Sequence, residues 1–407
     1  MDLERELAGH MHRLCAEIGA RPMGSPEDHA AAEYVRALLD SAGLEIEEQR
    51  LPCPAWLAEE VSLDLDGSRL VVVANAYSPS VDVTAKTVAV STEAELEAAD
   101  MVGRIAILYG DLVKDPLTTK GCVLYEAERD WRIVRLLEEK RPDAIITVNQ
   151  RIGSVEGLIE DWQFGIPSAT VPAEVGLRLL ANPGQPVSLR ISTRSAPGHS
   201  ATIIGRRAGS GKEILVICAH YDTKIGTPGA WDNASGVAAL LALGRILGGS
   251  PSRVGLEFVA FTGEEYGMGL HDLEYVRRSG DRFGSILAAI NMDGIGHRLR
   301  TDTVAIMSHS EPFQMEVDRV LRHHAGIVWT DPWPQSNHST FAWRGVPSIA
   351  ISSLGHGTAG FAHSPADSIE WISPARLGEV VHLVADVVRS LDDKPASWTR
   401  PSQADGQ

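Results

Sequence analysis

The sequence predicts an α/β protein: an open, mixed and mostly parallel sheet with helices on both faces, plus an inserted β-rich domain. Three observations carry this. From His199 onward, short apolar runs alternate with longer stretches whose apolar residues recur at helical spacing. Between about 52 and 195 the character changes to many short strand patterns broken by Gly, Asp and Pro. Polar side chains also recur where the later apolar strands stop, which is where an open α/β sheet places its chemistry.

In chain order, Leu3, Leu7, Met11, Leu14 and Ile18 mark an amphipathic helix over 3–18. A second helix starts at Gly24 to Asp28, with Ser25 as cap and Pro26 in the first turn. Its apolar stripe is Ala31, Tyr34, Val35, Leu38 and Leu39. Gly43 ends it, and 44–51 alternates as a strand. The inserted block has strand patterns at 61–65, 70–73, 88–90, 105–108, 144–148, 166–172 and 187–192, with helices near 131–140 and 173–180. No metal-binding or acid–base constellation is visible within it. Strands are then expected at 201–205, 213–219, 254–261, 285–292, 303–307 and 346–351, and helices at 235–247, 266–279, 311–325 and 374–391. The expected organisation is therefore a discontinuous domain of 1–51 and 196–391, an inserted domain of 52–195, and a mobile tail of 392–407.

At 407 residues, roughly two or three domains are expected. No apolar run approaches the ~18 residues of a membrane span. The charged N-terminus lacks the apolar core of a signal peptide, which points to a cytoplasmic protein. The four cysteines are scattered without CxxC spacing, as suits reduced thiols. A net charge of −17 argues against nucleic acid and anionic membrane as partners. It is compatible with a substrate carrying a free amine.

The chemistry concentrates in His220 to Gly236. His220 and Asp222 follow the apolar run 214–218, and Asp232-Asn233 precedes a Gly- and Ala-rich helical pattern. Glu264 and Glu265 follow the strand 256–261, Asp293 follows 288–292, and His363 precedes the last helix. All would lie on one rim of the sheet. Nitrogen and carboxylate ligands without thiolate suit zinc, or cobalt and manganese by the same geometry. Two His and three carboxylates exceed what one catalytic zinc needs and suit two ions about 3.5–4 Å apart.

The pattern His-x-Asp, Asp-Asn-x-Ser-Gly, Glu-Glu, Asp and His resembles metallopeptidase family 28. These are the co-catalytic zinc aminopeptidases, related to the glutaminyl cyclases. The segments Arg21 to Pro26, Asn337 to Phe341 and Gly345 to Pro347 are also similar to that family. In the insert, Val102 to Leu108 and Gly165 to Val171 resemble strand motifs of a protease-associated domain. The resemblance implies a zinc-exopeptidase three-layer α/β/α sandwich. It implies that His220 and Asp293 bind one zinc, Glu265 and His363 the other, and that Asp232 bridges both together with a water. Glu264 would be the general base, and Asp222 would accept a hydrogen bond from His220 and fix its tautomer. Neighbouring residues diverge, so Glu265 can ligate while Glu264 faces the substrate. The resemblance also implies a cis bond at Asp232–Asn233.

Some positions depart from the family. Several members have Tyr before the last His, where this chain has Ala362, which leaves the second oxyanion donor unassigned; His338 and His356 are neighbouring candidates. Asn337 stands where many relatives have Asp. Trp231, Tyr266, Met268, Trp333 and Phe341 can line a pocket or belong to the core. The expected activity is di-zinc aminopeptidase action on a peptide or small amide with a free amine. A metabolite amidohydrolase or a glutaminyl-cyclase-like enzyme on the same site stays open, as does a non-catalytic binding protein of the same fold. Oligomeric state is open, a homodimer among the arrangements.

Overall fold

The structure, a computed structural model, describes residues 2–122, 127–151, 155–266, 269–353 and 361–401. The chain divides into two compact units, 1–52 with 199–407, and 53–198. These divisions lie one and three residues beyond those expected from the sequence, 51/52 and 195/196. Two long strands, Glu45–Leu65 and Pro186–Arg207, contain the division points.

In the first unit the sheet runs in the order Ile327–Trp329, Asp302–Met307, Ser348–Ser352, Ile286–Met292, Ile214–His220, Gly255–Phe261, then the end of Pro186–Arg207. The four strands from Ser348–Ser352 to Gly255–Phe261 are mutually parallel. Pairings outside them include two antiparallel ones. Both faces are covered, and the alternation along Ile214–His220 shows it. Leu215, Ile217 and Ala219 enter one apolar cluster with the helices Pro26–Ser41, Ser235–Gly248 and Pro374–Ser390. Val216 and Cys218 enter another with Tyr275 and Phe341, from the helices Leu270–Ser279 and His338–Ala342. A strand buried on both faces reads as a continuous apolar run, which is why 214–219 was legible.

The topology creates the site. Ile214–His220 lies between Gly255–Phe261 and Ile286–Met292, so the chain leaves the first strand to one side and returns on the other. At such a switch point the loops after the strand ends part and leave a crevice. His220, Glu264 with Glu265, and Asp293 all stand at or just beyond these three strand ends.

Several elements differ from expectation. The helix expected from 266 begins at Leu270, because residues 263–266 form a turn whose amides are held by Asp222. The first helix is regular over Leu3–His12 and continues to Ile18 in wider turns. The strand Ile327–Trp329 and the short helix His338–Ala342 carry no periodic signal. The expected mobile tail from Asp392 is instead anchored as far as Thr399, a correction to that reading. Thr399 is buried, its hydroxyl donates to Leu287 O at 2.6 Å, and its carbonyl accepts the Ser310 amide at 2.8 Å. Polar composition alone did not reveal these anchors.

The sheet of the second unit runs from the start of Pro186–Arg207 through Val81–Val90, Arg104–Leu108, Ala144–Val148 and Ser168–Val171 to Val73–Ala74. Its middle pairings are parallel and its outer ones antiparallel. Apolar clusters lie on both faces, and the helices Glu128–Lys140 and Ala173–Leu180 contribute to them.

Candidate metal centre

His220 ends its strand fully buried. Its Nε2 faces Asp232 Oδ1 at 3.1 Å and Asp293 Oδ1 at 3.5 Å. His363 Nε2 faces the other oxygen of Asp232, Oδ2, at 3.0 Å, and Glu265 Oε2 at 3.3 Å. The ligand-type atoms therefore fall into two groups, His220/Asp232/Asp293 and Asp232/Glu265/His363, each within 4.8 Å of one another. Asp232 belongs to both and offers one oxygen to each. His220 and Glu265 form the buried wall, whereas His363 is 28% exposed, so the centre opens on that side.

The loop geometry explains how Asp232 arrives there. The eleven residues between His220 and Asp232 fold back through positive-φ glycines at 226 and 229. Asp232 and Asn233 are non-helical, and the bond between them is cis, as the resemblance implied. Asn233 then ties two strand-end loops together. Its Oδ1 accepts the amides of Gly236 at 2.9 Å and Gly294 at 3.3 Å, and its Nδ2 donates to Met292 O at 2.9 Å. The approach is so close that a Cβ on Gly236 would lie 2.2 Å from Met292 O.

Asp222 does more than touch its histidine. His220 Nδ1 lies 3.4 Å from Asp222 Oδ1 and 3.2 Å from the Asp222 carbonyl. The two Asp222 carboxylate oxygens accept the backbone amides of Glu264 and Glu265, at 3.3 and 3.2 Å. Lys224 adds a bond from Nζ to the Glu265 carbonyl at 3.0 Å. One buried aspartate thus holds the turn that presents both glutamates.

Burial, reinforced by Asp293, Asp232 and Asp222, pushes the Glu264 carboxyl up to about 8, with the nearby His220 pulling the other way. Burial likewise raises Glu265 well above the carboxylate range. For Asp232, burial acts upward but is outweighed by the bonds from His220 and His363, so the net shift is downward. Crowded carboxylates in a buried site repel one another, and a cation relieves that repulsion. One atom sharpens the point: Glu265 Oε1 is buried without a hydrogen-bond partner among the described residues. An orphaned oxygen of this kind, in an N/O ligand set, fits a zinc-type ion.

The sequence profile of peptidase family M28 matches residues 202–388. That match lies within the unit that carries this site. Aminopeptidase YwaD of Bacillus subtilis is 24% identical over 410 residues, covering 95% of this chain and 86% of that one. A solved zinc aminopeptidase from Bacillus subtilis superposes with a TM-score of 0.77 at 21% identity, covering 98% of each chain. An aminopeptidase from Aneurinibacillus sp. strain AM-1 superposes at 0.76 and 21%, covering 96% and 94%. At such identities the solved structures establish the fold.

Beyond the ligand candidates, the first unit resolves several open residues. His338 is fully buried and both ring nitrogens are engaged, Nε2 with Trp333 O at 2.7 Å and Nδ1 with Asn291 Nδ2 at 3.4 Å. Its ring is held within the fold by these two contacts. Asn337 Nδ2 donates to buried Asp272 at 2.9 Å, between two helices. Phe341 is core, packed on Tyr275 and Phe283. Tyr266 is nearly buried and its hydroxyl accepts the Ile225 amide at 2.8 Å. Trp231 packs on Phe361, and Trp333 on His338. His356 and Met268 lie outside the described residues. Two buried charges escaped the sequence reading. Asp367 accepts the amides of Trp231 and Asp232, and Arg21 takes carbonyls of the 220–232 loop. Arg21 sits in a segment noted only for its resemblance, and Asp367 ends the stretch that His363 begins.

Proposed function

We propose that this chain is a di-zinc aminopeptidase that hydrolyses N-terminal peptide bonds. The observation that carries the reading is the pair of donor groups sharing Asp232, with Glu264 beside them. His220 and Asp293 would hold one ion, Glu265 and His363 the other, and Asp232 both; cobalt or manganese would fit the same donors. Ions bound there would lower the pKa of water and polarise the scissile carbonyl.

The chain's own groups supply the rest. Glu264 stands next to a ligand candidate but is not one of the six donor positions, so its carboxylate is free to move protons. It takes the proton of the attacking water and delivers it to the leaving amine. Asp222 holds the Glu264 and Glu265 amides and so keeps the base and the ligand pointing in their separate directions.

A peptide library digested with and without chelator, read by mass spectrometry, tests this together with metal analysis. Removal of single N-terminal residues that stops with chelator and in Glu264→Gln is the expected result. Less than one equivalent of divalent metal, or full activity in Glu264→Gln, sinks the reading. One metal with loss of ammonia from N-terminal glutamine points to a cyclase, and cleavage of small amides only points to a metabolite amidohydrolase.

A further inference from the structure

Asp367 belongs to neither donor group, yet the backbone leading into Asp232 ends on it. The Asp367 carboxylate accepts the Trp231 amide on Oδ1 at 2.8 Å and the Asp232 amide on Oδ2 at 3.1 Å. Its carbonyl accepts the Ala230 amide at 3.4 Å. Three successive amides therefore converge on one residue, which is itself fully buried. The carbonyls of the same loop go to a buried cation: Arg21 donates to Tyr221 O at 2.7 Å, Pro228 O at 2.8 Å and Gly229 O at 3.1 Å. The loop is thus gripped at its amides by an anion and at its carbonyls by a cation.

Asp367 also lies four residues after His363. Its amide closes a turn on Ser364 O at 3.0 Å. His363 takes φ +57°, the left-handed region that residues other than glycine rarely adopt, so tertiary contacts hold this turn. One end of the turn carries a ligand candidate, and the other grips the backbone of the residue shared by both groups.

We propose that Asp367 is a positioning residue of the metal centre: its carboxylate sets the spacing and direction of Asp232 relative to His363, and thereby the affinity for divalent ions there. This rests on the metal-binding reading above. Residues behind the ligands affect metal affinity by about 10–100-fold when replaced.

Two variants separate positioning from charge balance. Asp367→Asn keeps the shape but turns one acceptor into an amide donor, which then faces a backbone N–H. Asp367→Glu keeps the anion near Arg21 and both oxygens but moves them by one methylene. The experiment titrates zinc into the stripped full-length protein against a chromophoric chelator, with thermal unfolding measured alongside. Leu39→Ala, in the fully buried core of the same unit, serves as a destabilised control. Both Asp367 variants are expected to bind the more weakly held zinc about 10–100-fold less tightly, while Leu39→Ala keeps wild-type affinity. Should Asp367→Asn fail to fold, Asp367→Glu carries the measurement. Wild-type affinity in a folded variant overturns the proposal, as does an equal loss in Leu39→Ala at equal loss of Tm. A wild-type protein that takes up no divalent ion overturns the metal reading and the proposal with it. Binding that is intact in wild type and variants alike overturns the proposal alone.

Discussion

Arg21→Lys keeps a positive charge in a fully buried position while removing the fork of donors around it. The guanidinium reaches five carbonyls: Tyr221 from Nε, Leu14, Gly19 and Pro228 from Nη1, and Gly229 from Nη2. A lysine ammonium has three hydrogens at a single point. Leu14 O and Gly229 O also accept the amides of Gly19 and Ala234, at 3.0 Å each, so the loss falls on Tyr221, Gly19 and Pro228. Tyr221 is reached from Nε and the other two from Nη1, so one ammonium leaves at least one of them without its bond. A buried acceptor left unpaired costs about 1–3 kcal/mol, so the substitution destabilises by at least about that much. For a unit of this size about 2–4 °C of Tm accompanies each kcal/mol. A fall of at least about 2 °C is therefore expected. Calorimetry in chelator reads it, because chelation removes metal linkage. A shift under about 1 °C would refute the reasoning, since it would mean that the carbonyl contacts contribute nothing net.

Other outcomes follow from the same geometry. Gly236→Ala drives a methyl into Met292 O, and Gly294→Ala places one 2.6 Å from the Trp231 ring at φ +65°; each is expected to lose about 1–3 kcal/mol or more, measurable by urea unfolding. Asp232→Asn is expected to weaken both zinc ions, whereas Asp293→Asn weakens one; equal stoichiometry and affinity in both variants contradicts the shared role of Asp232. Burial holds the His271 imidazole down to about 4 from its usual 6.5. The unfolded chain takes up that proton first, so the stability is full above pH 6.5 and is lost as pH falls toward 4. The loss is about 3 kcal/mol at most. Urea midpoints at pH 7 and 4.5 should converge more in His271→Gln than in wild type; parallel losses would exclude the group. Chelation should lower the Tm of the first unit, by the equivalent of about 2.7 kcal/mol for zinc at a hundredfold excess over Kd.

Much of this was legible because it is local. Strands such as 214–220 and 286–292 are buried on both faces, so their residues are apolar without interruption, and the polar residue that ends each one stands out. That placed His220, Glu264, Glu265 and Asp293 on a single rim. Longer-range partners were harder to see. The strand Ile327–Trp329 is short, and the helix His338–Ala342 is stabilised by buried polar contacts that leave no period. The anchoring of Trp398 and Thr399 depends on residues 88 and 112 positions away.

By itself the sequence determined the donor chemistry, two histidines and a set of carboxylates without thiolate, and the strand ends that carry most of them. The resemblance implied how they group, and the tertiary structure supplies the physical reason. The turn at Gly226 and Gly229 folds Asp232 back between His220 and His363, so one carboxylate serves both groups. Asp367 and Arg21 act on backbone amides and carbonyls, which every residue possesses. No pattern of side chains along the chain can announce such contacts, because they exist only once segments more than a hundred residues apart have met.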